Sequence, residues 1–440
     1  MFLNPDFFLE TKTARKLYHE TAAALPIIDF HTHLDQQAIL EDRRFSDLAE
    51  LWLAHDHYKW RLMRACGVAE KFITGDATPW EKFHAFARIM PLAIANPVHQ
   101  WAHMELRSIF GIDDTLNEKN ARTIWDRANE IIANDPQLSV RGLLSKFKVR
   151  VVCTTDDPCA DLSTHAAIQA ANDGIQVFPT FRPDRFLEPT PDAKLELAGI
   201  VGFAIEDQAS LIKALQLRHQ YFHDQGCRLS DHGLSSMPVP GTAAFEVFQH
   251  IARWNHDKGW TMQLHLGPQR NVNSSMFAIT GRDSGFDTMG SWPQTAPLIA
   301  ALDELQKNDS LGRVIVYNLN PNESAAICCA LQNFQNSLCA GKLQYGPAWW
   351  HLDHKKGILE QIELVASLGA LGTSVGMLTD SRSFTSYVRH DYYRRLLCQY
   401  LGSAVEAGEI PSDLDDLQSL VANICYHNAA SYFNWSQPIA

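Results

Sequence analysis

Eight short β-rich runs, spaced widely enough for helices between them, constrain the fold of this chain more than any other feature. The first lies near 26–33, and Val149–Asp156, Ile175–Arg182, Cys227–His232 and Thr261–Leu266 follow. Arg313–Leu319, Lys342–Gly346 and Ser374–Asp380 complete the set. Helical patterning fills several of the gaps, as from Gly357 to Ser367 before the eighth run. Strands alternating with helices predict a parallel sheet, and eight of them predict a closed (β/α)8 barrel of the TIM type. An open doubly wound sheet is the alternative. No glycine-rich phosphate loop follows any of the runs, which weakens a nucleotide-binding version of it.

The spacing is uneven after the first strand. Residues 1–34 are read as an N-terminal segment with strand one, and 35–145 as a helical insertion capping the barrel mouth. Helical stretches are expected there over Phe45–His57, Trp60–Cys66, Trp80–Ile89 and Val98–Ile109. Residues 146–394 hold the rest of the barrel, and 395–440 a helical C-terminal extension against its outside. A hydrophobic content of 46% and 11 tryptophans fit a well-packed globule. The formal net charge of -12 argues against nucleic-acid binding and offers no basic surface for a membrane. Nine cysteines without CxxC spacing, apart from the adjacent pair Cys328-Cys329, read as reduced thiols of a cytoplasmic protein. No apolar run reaches the length of a membrane span, and the N-terminus lacks a signal-peptide pattern.

Polar residues recur at the C-terminal ends of the predicted strands. In a barrel these ends converge on one mouth. Pro26-Ile27-Ile28-Asp29-Phe30-His31-Thr32-His33 ends in His-x-His, and residues i and i+2 of a strand share a face. His31 and His33 are therefore placed to share one metal ion, and Asp380 after strand eight completes a set suited to a metal with open positions. Strand two offers Asp156 and Asp157, strand three Arg182 and Arg185, strand four Asp231-His232, strand five His265, and strand six Asn318 and Asn320. Any one of these is as readily a helix cap or turn residue. Their convergence carries more weight than any member.

With these motifs in order along nearly the whole chain, the sequence resembles the amidohydrolase superfamily and, within it, the uronate isomerase family. The resemblance rests on Asp29–Leu34, His57-Tyr58-Lys59-Trp60-Arg61, Val98–His103, Val152–Pro158, Thr180–Asp184, Gln263–Gly267, Ala348-Trp349-Trp350 and Thr379–Phe384. It implies interconversion of D-glucuronate with D-fructuronate and of D-galacturonate with D-tagaturonate. It implies one divalent metal on His31, His33 and Asp380, with His265 as a fourth ligand or a hydrogen-bonding neighbour. Zinc is the expected ion, although manganese, iron or cobalt suits the same donors. Arg382, Tyr58 and His33 would face the substrate with His57 beside Tyr58, joined by Arg182 or Arg185 and by Trp349 or Trp350. The expected partner is the small hexuronate alone, and the expected assembly a homo-oligomer. Aromatics in Tyr432-Phe433-Asn434-Trp435 fit either an interface or barrel packing.

Aldose–ketose isomerisation moves a proton from C2 to C1 through an enediol(ate), so the proton carrier needs a tuned pKa. A free tyrosine titrates near about 10, so Tyr58 would need a nearby cation. Arg382 suits an enediolate oxygen, and Arg182 can grip a carboxylate in a bidentate pair. No lysine lies within 227–234, and strand six carries asparagines where binuclear hydrolases place a histidine. Both departures favour one metal. A mononuclear hydrolase, deaminase or decarboxylase on the same scaffold is the alternative, and a non-catalytic sugar-acid sensor a more distant one.

Overall fold

The computed structural model describes residues 2–435, so positions 436–440 of the expected C-terminal extension lie outside the described residues. Strands β1 (Ile27–Asp29), β2 (Val149–Cys153) and β3 (Gln176–Phe178) pair in parallel in that order. Strands β4 (Leu229–Leu234) and β5 (Thr261–Leu266) are followed by a short antiparallel pair, β6 (Pro268–Gln269) and β7 (Thr288–Met289). With β8 (Arg313–Asn318) and β9 (Leu343–Tyr345), a second parallel sheet runs β4-β5-β8-β9. Parallel bridges from Phe181 to Asp156 and to Ser230 join the two sheets into one wall. The architecture is a TIM-type barrel.

Both faces of these strands are buried, and alternate residues separate the two layers. Val314 and Val316 of β8 pack outward under the helices, while Ile315 and Tyr317 point into the barrel with Ile28, Phe30, Val151 and Cys153. The C-terminal segment does not lie wholly outside the barrel. Tyr432 and Phe433 join the interior cluster, with the Phe433 ring 5.0 Å from Phe30, and Trp435 stacks on Phe178 at 5.3 Å. Of the two roles open to these aromatics, barrel packing is the one they fill.

The predicted eighth strand is extended but forms no regular ladder. Gly376 (φ +77) and Asp380 (φ +49) both take left-handed backbone, which breaks the run. Closure is made instead by the Asp380 N–H donating to His31 O (3.1 Å) and the His33 N–H to Ser381 O (2.9 Å). The Asp29 carboxylate accepts from the Thr379 N–H (2.9 Å) and hydroxyl (2.5 Å). A Cβ on Gly376 would also lie 2.3 Å from the Ile424 carbonyl oxygen. Gly376→Ala is therefore expected to cost about 2–4 kcal/mol, from left-handed strain plus overpacking, read as a lower urea midpoint. An unchanged midpoint would refute this account of the seam.

Between β1 and β2 the chain is helical. Asp56 caps helix His57–Ala65, accepting from the Tyr58 N–H (3.0 Å) and Lys59 N–H (3.2 Å). The single helix expected over Phe45–His57 is instead Leu48–Leu53, and the next begins at His57, because Asp56 starts a new one. Thr78 with Glu81 closes a capping box on helix Pro79–Ile89, and Asn96 caps Pro97–Phe110. At the other end, helix Val388–Glu406 begins eight residues past Asp380 and packs along Lys12–Glu20.

Candidate active site

A cavity of about 570 Å³ opens where the barrel strands end, the face on which such barrels carry their chemistry. His31, His33, His265, Trp349, Trp350 and Asp380 line its floor and inner wall, and Arg182, His57 and Arg382 line it as well. Asp380 is the centre. Its Oδ1 lies 3.0 Å from His31 Nε2 and 3.1 Å from His33 Nε2, while Oδ2 accepts from Trp349 Nε1 at 2.7 Å. Burial alone would raise its pKa, but the hydrogen bonds from His31 and His33 hold it well below the usual carboxylate range. Burial lowers His33 to about 4, so its imidazole is neutral at physiological pH. Two imidazole nitrogens and a carboxylate oxygen, all within 4.8 Å of one another, are a donor set that fits one divalent ion.

Behind this triad sits Asp231, fully buried on β4. Its Oδ1 is 2.7 Å from His265 Nδ1 and 3.9 Å from His31 Nδ1. The contact leaves His265 Nε2 buried with no partner among the described residues. His265 groups with His31 and Asp231, not with His33 and Asp380, and its ring stacks on Tyr317 at 4.2 Å. Arg182 reaches over Gly233 to Asp231 Oδ2 (3.2 Å) and Asp184 Oδ2 (3.2 Å). A Cβ on Gly233 would fall 2.1 Å from the Arg182 Nη2, so only glycine lets the guanidinium pass. Burial opposes the Arg182 charge, but Asp231 and Asp184 more than restore it.

His57 and Trp350 also meet at the cavity, their ring centres 6.2 Å apart. Trp350, like Asp380, holds left-handed backbone (φ +52), strain of the kind that collects at functional sites. Tyr58, expected to face the substrate, does not line the cavity; it lies one layer back, stacked on His57 with ring centres 5.0 Å apart and planes 15° from parallel. Its hydroxyl is buried without a hydrogen-bond partner among the described residues. Burial lowers the His57 pKa, keeping the imidazole neutral. Burial likewise pushes Tyr58 well above the phenol range, and the opposing pull of Arg389, 5.2 Å from the ring centre, does not overcome it.

The structure does not bring Arg185 to the cavity. Its guanidinium is held between Asp157 (2.6 Å) and Glu196 (2.7 Å) outside the mouth, which leaves Arg182 as the strand-three arginine on the wall. Asp156 is likewise turned inward, taken up by Thr154 and the Thr180 N–H. Both tryptophans of the 349–350 pair line the cavity.

The excursion between β6 and β7, which no sequence motif marks, supplies Arg270, Arg282, Asp283 and Asp287 to the lining. Asp283 Oδ2 lies 3.3 Å from Arg382, Asp287 holds Arg270 at 2.8 Å, and Arg61 donates to the Asp287 carbonyl at 2.6 Å. The helix of this excursion, Ser274–Thr280, spans only seven residues, too short to show a period. Asp231, already expected at the end of strand four, alternates with Leu229 and Gly233 on the inward face of a buried strand, where a carboxylate needs a reason.

The fold is a TIM-type barrel whose mouth carries two histidines and an aspartate able to hold a metal ion, with four arginines and two further aspartates lining the same cavity. The sequence matches the model of the family described as glucuronate isomerase over residues 1–247 and 242–433. The uronate isomerase of Caldanaerobacter subterraneus subsp. tengcongensis is 44% identical, over 98% of this chain and 99% of that protein. That of Opitutus terrae is 44% identical, over 98% and 97%. Among solved structures, the uronate isomerase of Thermotoga maritima superimposes with a TM-score of 0.89 at 30% identity, covering 98% of this chain and all of that one. The glucuronate isomerase of Caulobacter crescentus gives 0.86 at 26%, over 97% and 96%. The chain belongs to the glucuronate isomerase family.

Proposed function

We propose that the protein interconverts D-glucuronate with D-fructuronate and D-galacturonate with D-tagaturonate by proton transfer through an enediol(ate). The observation that carries this reading is a neutral base and a permanent cation on the cavity lining, His57 and Arg382, with a protonated phenol, Tyr58, stacked directly behind the base. In the open-chain sugar acid, His57 takes the C2 proton and returns it at C1, while the proton of the C2 hydroxyl passes to the C1 oxygen. The Tyr58 hydroxyl, unpartnered within the protein, donates a hydrogen bond to the oxygen on which charge develops. A buried hydroxyl left unpaired costs about 1–3 kcal/mol, which substrate contact recovers. Arg382 offers a second donor to the same charge.

Arg182 is assigned to the C6 carboxylate, supported by its half-buried guanidinium on the cavity lining. Arg282 has no ion-pair partner among the described residues, which adds positive field at the mouth. Zinc is the proposed ion on His31, His33 and Asp380; when bound it supplies a Lewis acid that polarises and orients substrate oxygens. The hydrolytic and decarboxylating alternative is not favoured, because the relatives across the full length are named isomerases. Residues 35–145 are read as the cap that carries His57 and Tyr58 to the mouth. No helix among the described residues is long and apolar enough to cross a membrane. Nine free cysteines support a cytoplasmic location, and light scattering tests the proposed homo-oligomer against the 49.5 kDa of one chain.

Proton NMR with each acid in deuterated water tests the reaction. Formation of the 2-keto acid with deuterium entering product or recovered substrate supports the route. No turnover of either acid by metal-loaded protein would sink it.

A further inference from the structure

Tyr58 reaches its place through a contact that lies wholly behind the cavity. Arg389 is 4% exposed and its partner Asp353 1%. The guanidinium Nε donates to Asp353 Oδ2 at 2.8 Å, and Nη2 donates to the same oxygen. Its carbon sits 5.2 Å from the Tyr58 ring centre and 4.9 Å from that of Trp101, and these two rings meet edge to face at 6.1 Å. The Asp353 N–H donates to the Trp350 carbonyl at 3.1 Å. Arg389 itself stands seven residues after Arg382, at the second position of helix Val388–Glu406. One guanidinium thus touches the phenol on the insertion helix and the carboxylate that ends the Trp349-Trp350 segment, and it grows from the element that follows the Arg382 loop.

We infer that Arg389 is a positioning residue for this reaction, clamping Tyr58 so that its free hydroxyl meets the substrate oxygen when Trp350 and Arg382 do. Burying a full charge with a single carboxylate is poor stability engineering, since a well-packed apolar pair of similar volume is often as stable or more so. The retained charge and its planar shape make sense as an alignment device. A guanidinium can stack on two rings and donate sideways to a carboxylate at once, which an ammonium cannot. Nothing between Tyr58 and Arg389 depends on the metal-site residues, so the clamp can be tested apart from them.

The inference rests on the proposed role of the Tyr58 hydroxyl, and a double-mutant cycle separates the two. kcat and KM on D-glucuronate are measured for the wild type, Arg389→Lys, Tyr58→Phe and the double variant, each metal-loaded and shown to melt cooperatively. Arg389→Lys keeps the charge and the Asp353 partner. It is expected to lower kcat by about 30–100-fold with KM within about threefold, the scale of a misplaced catalytic group. In the Tyr58→Phe background the same change should cost no more than about threefold, since there is no hydroxyl left to misplace. Multiplying losses would overturn the clamp and leave the Tyr58 role standing. Wild-type kcat in Tyr58→Phe alone would remove the Tyr58 role and the clamp with it. If Arg389→Lys does not fold, Asp353→Asn runs the same cycle with the same expected pattern and the same overturning result.

Discussion

Asp380→Asn is expected to abolish turnover, with kcat/KM falling by about 10³–10⁴-fold or more while the barrel remains folded. Asparagine matches the shape, so the seam bond from its backbone N–H to His31 O survives. The side chain fails in two ways. The charge that draws His31 and His33 together is gone. The new amide NH2 must also face either the histidine nitrogens or the Trp349 indole N–H, which at present donates to Oδ2 at 2.7 Å. Turned one way it sets donor against donor at Trp349; turned the other it blocks the nitrogens that would hold the metal. Steady-state kinetics and metal analysis by atomic emission on the same sample check this. A variant that keeps bound metal and turns over within tenfold of wild type would remove Asp380 from the centre of the site.

Arg382→Ala is the second large effect, a loss of about 10²–10³-fold in kcat with little change in thermal stability. Its partner in the protein is Asp283, whose side chain is 55% exposed, so removing the guanidinium strands no buried charge. This contrasts with Arg182, whose loss would leave Asp231 buried and unpaired beside His265. Stability and catalysis therefore separate at Arg382 as they cannot at Arg182. Arg382→Lys should recover only part of the rate, since an ammonium lacks the planar fork for an enediolate oxygen. Rates of Arg382→Ala near wild type, with unchanged KM, would transfer the charge-stabilising role to another group.

Much of this architecture was legible because buried parallel strands write themselves as short β-branched runs, and because His31, His33 and Asp380 fall at strand ends where convergence is a rule of the fold. The eighth run was legible as extended chain but not as broken ladder. Gly376 and Asp380 take left-handed backbone for reasons that sit in the C-terminal segment and in the site, not in their own neighbourhood. Arg185 and Arg182 looked interchangeable in Phe181-Arg182-Pro183-Asp184-Arg185. What separates them is distant in sequence: Asp231 and Gly233 receive one, Glu196 and Asp157 the other. The segment 270–287 had little signature, since its one helix is seven residues long and the rest is loop without a period. The clamp of Arg389 and Asp353 joins residues that no local pattern connects.

The seam between the first and last barrel elements has a consequence for synthesis. His31 and Asp380 are 349 residues apart, nearly the whole length of the barrel-forming chain. At about 5–20 residues per second, roughly 20–70 s separate their emergence from the ribosome. For that interval the histidine pair and the Asp29 carboxylate are present without the loop that pairs with them. The nascent chain therefore passes through a stage in which most strands have emerged yet the two histidines lack their carboxylate, so the proposed metal ion would load only after closure.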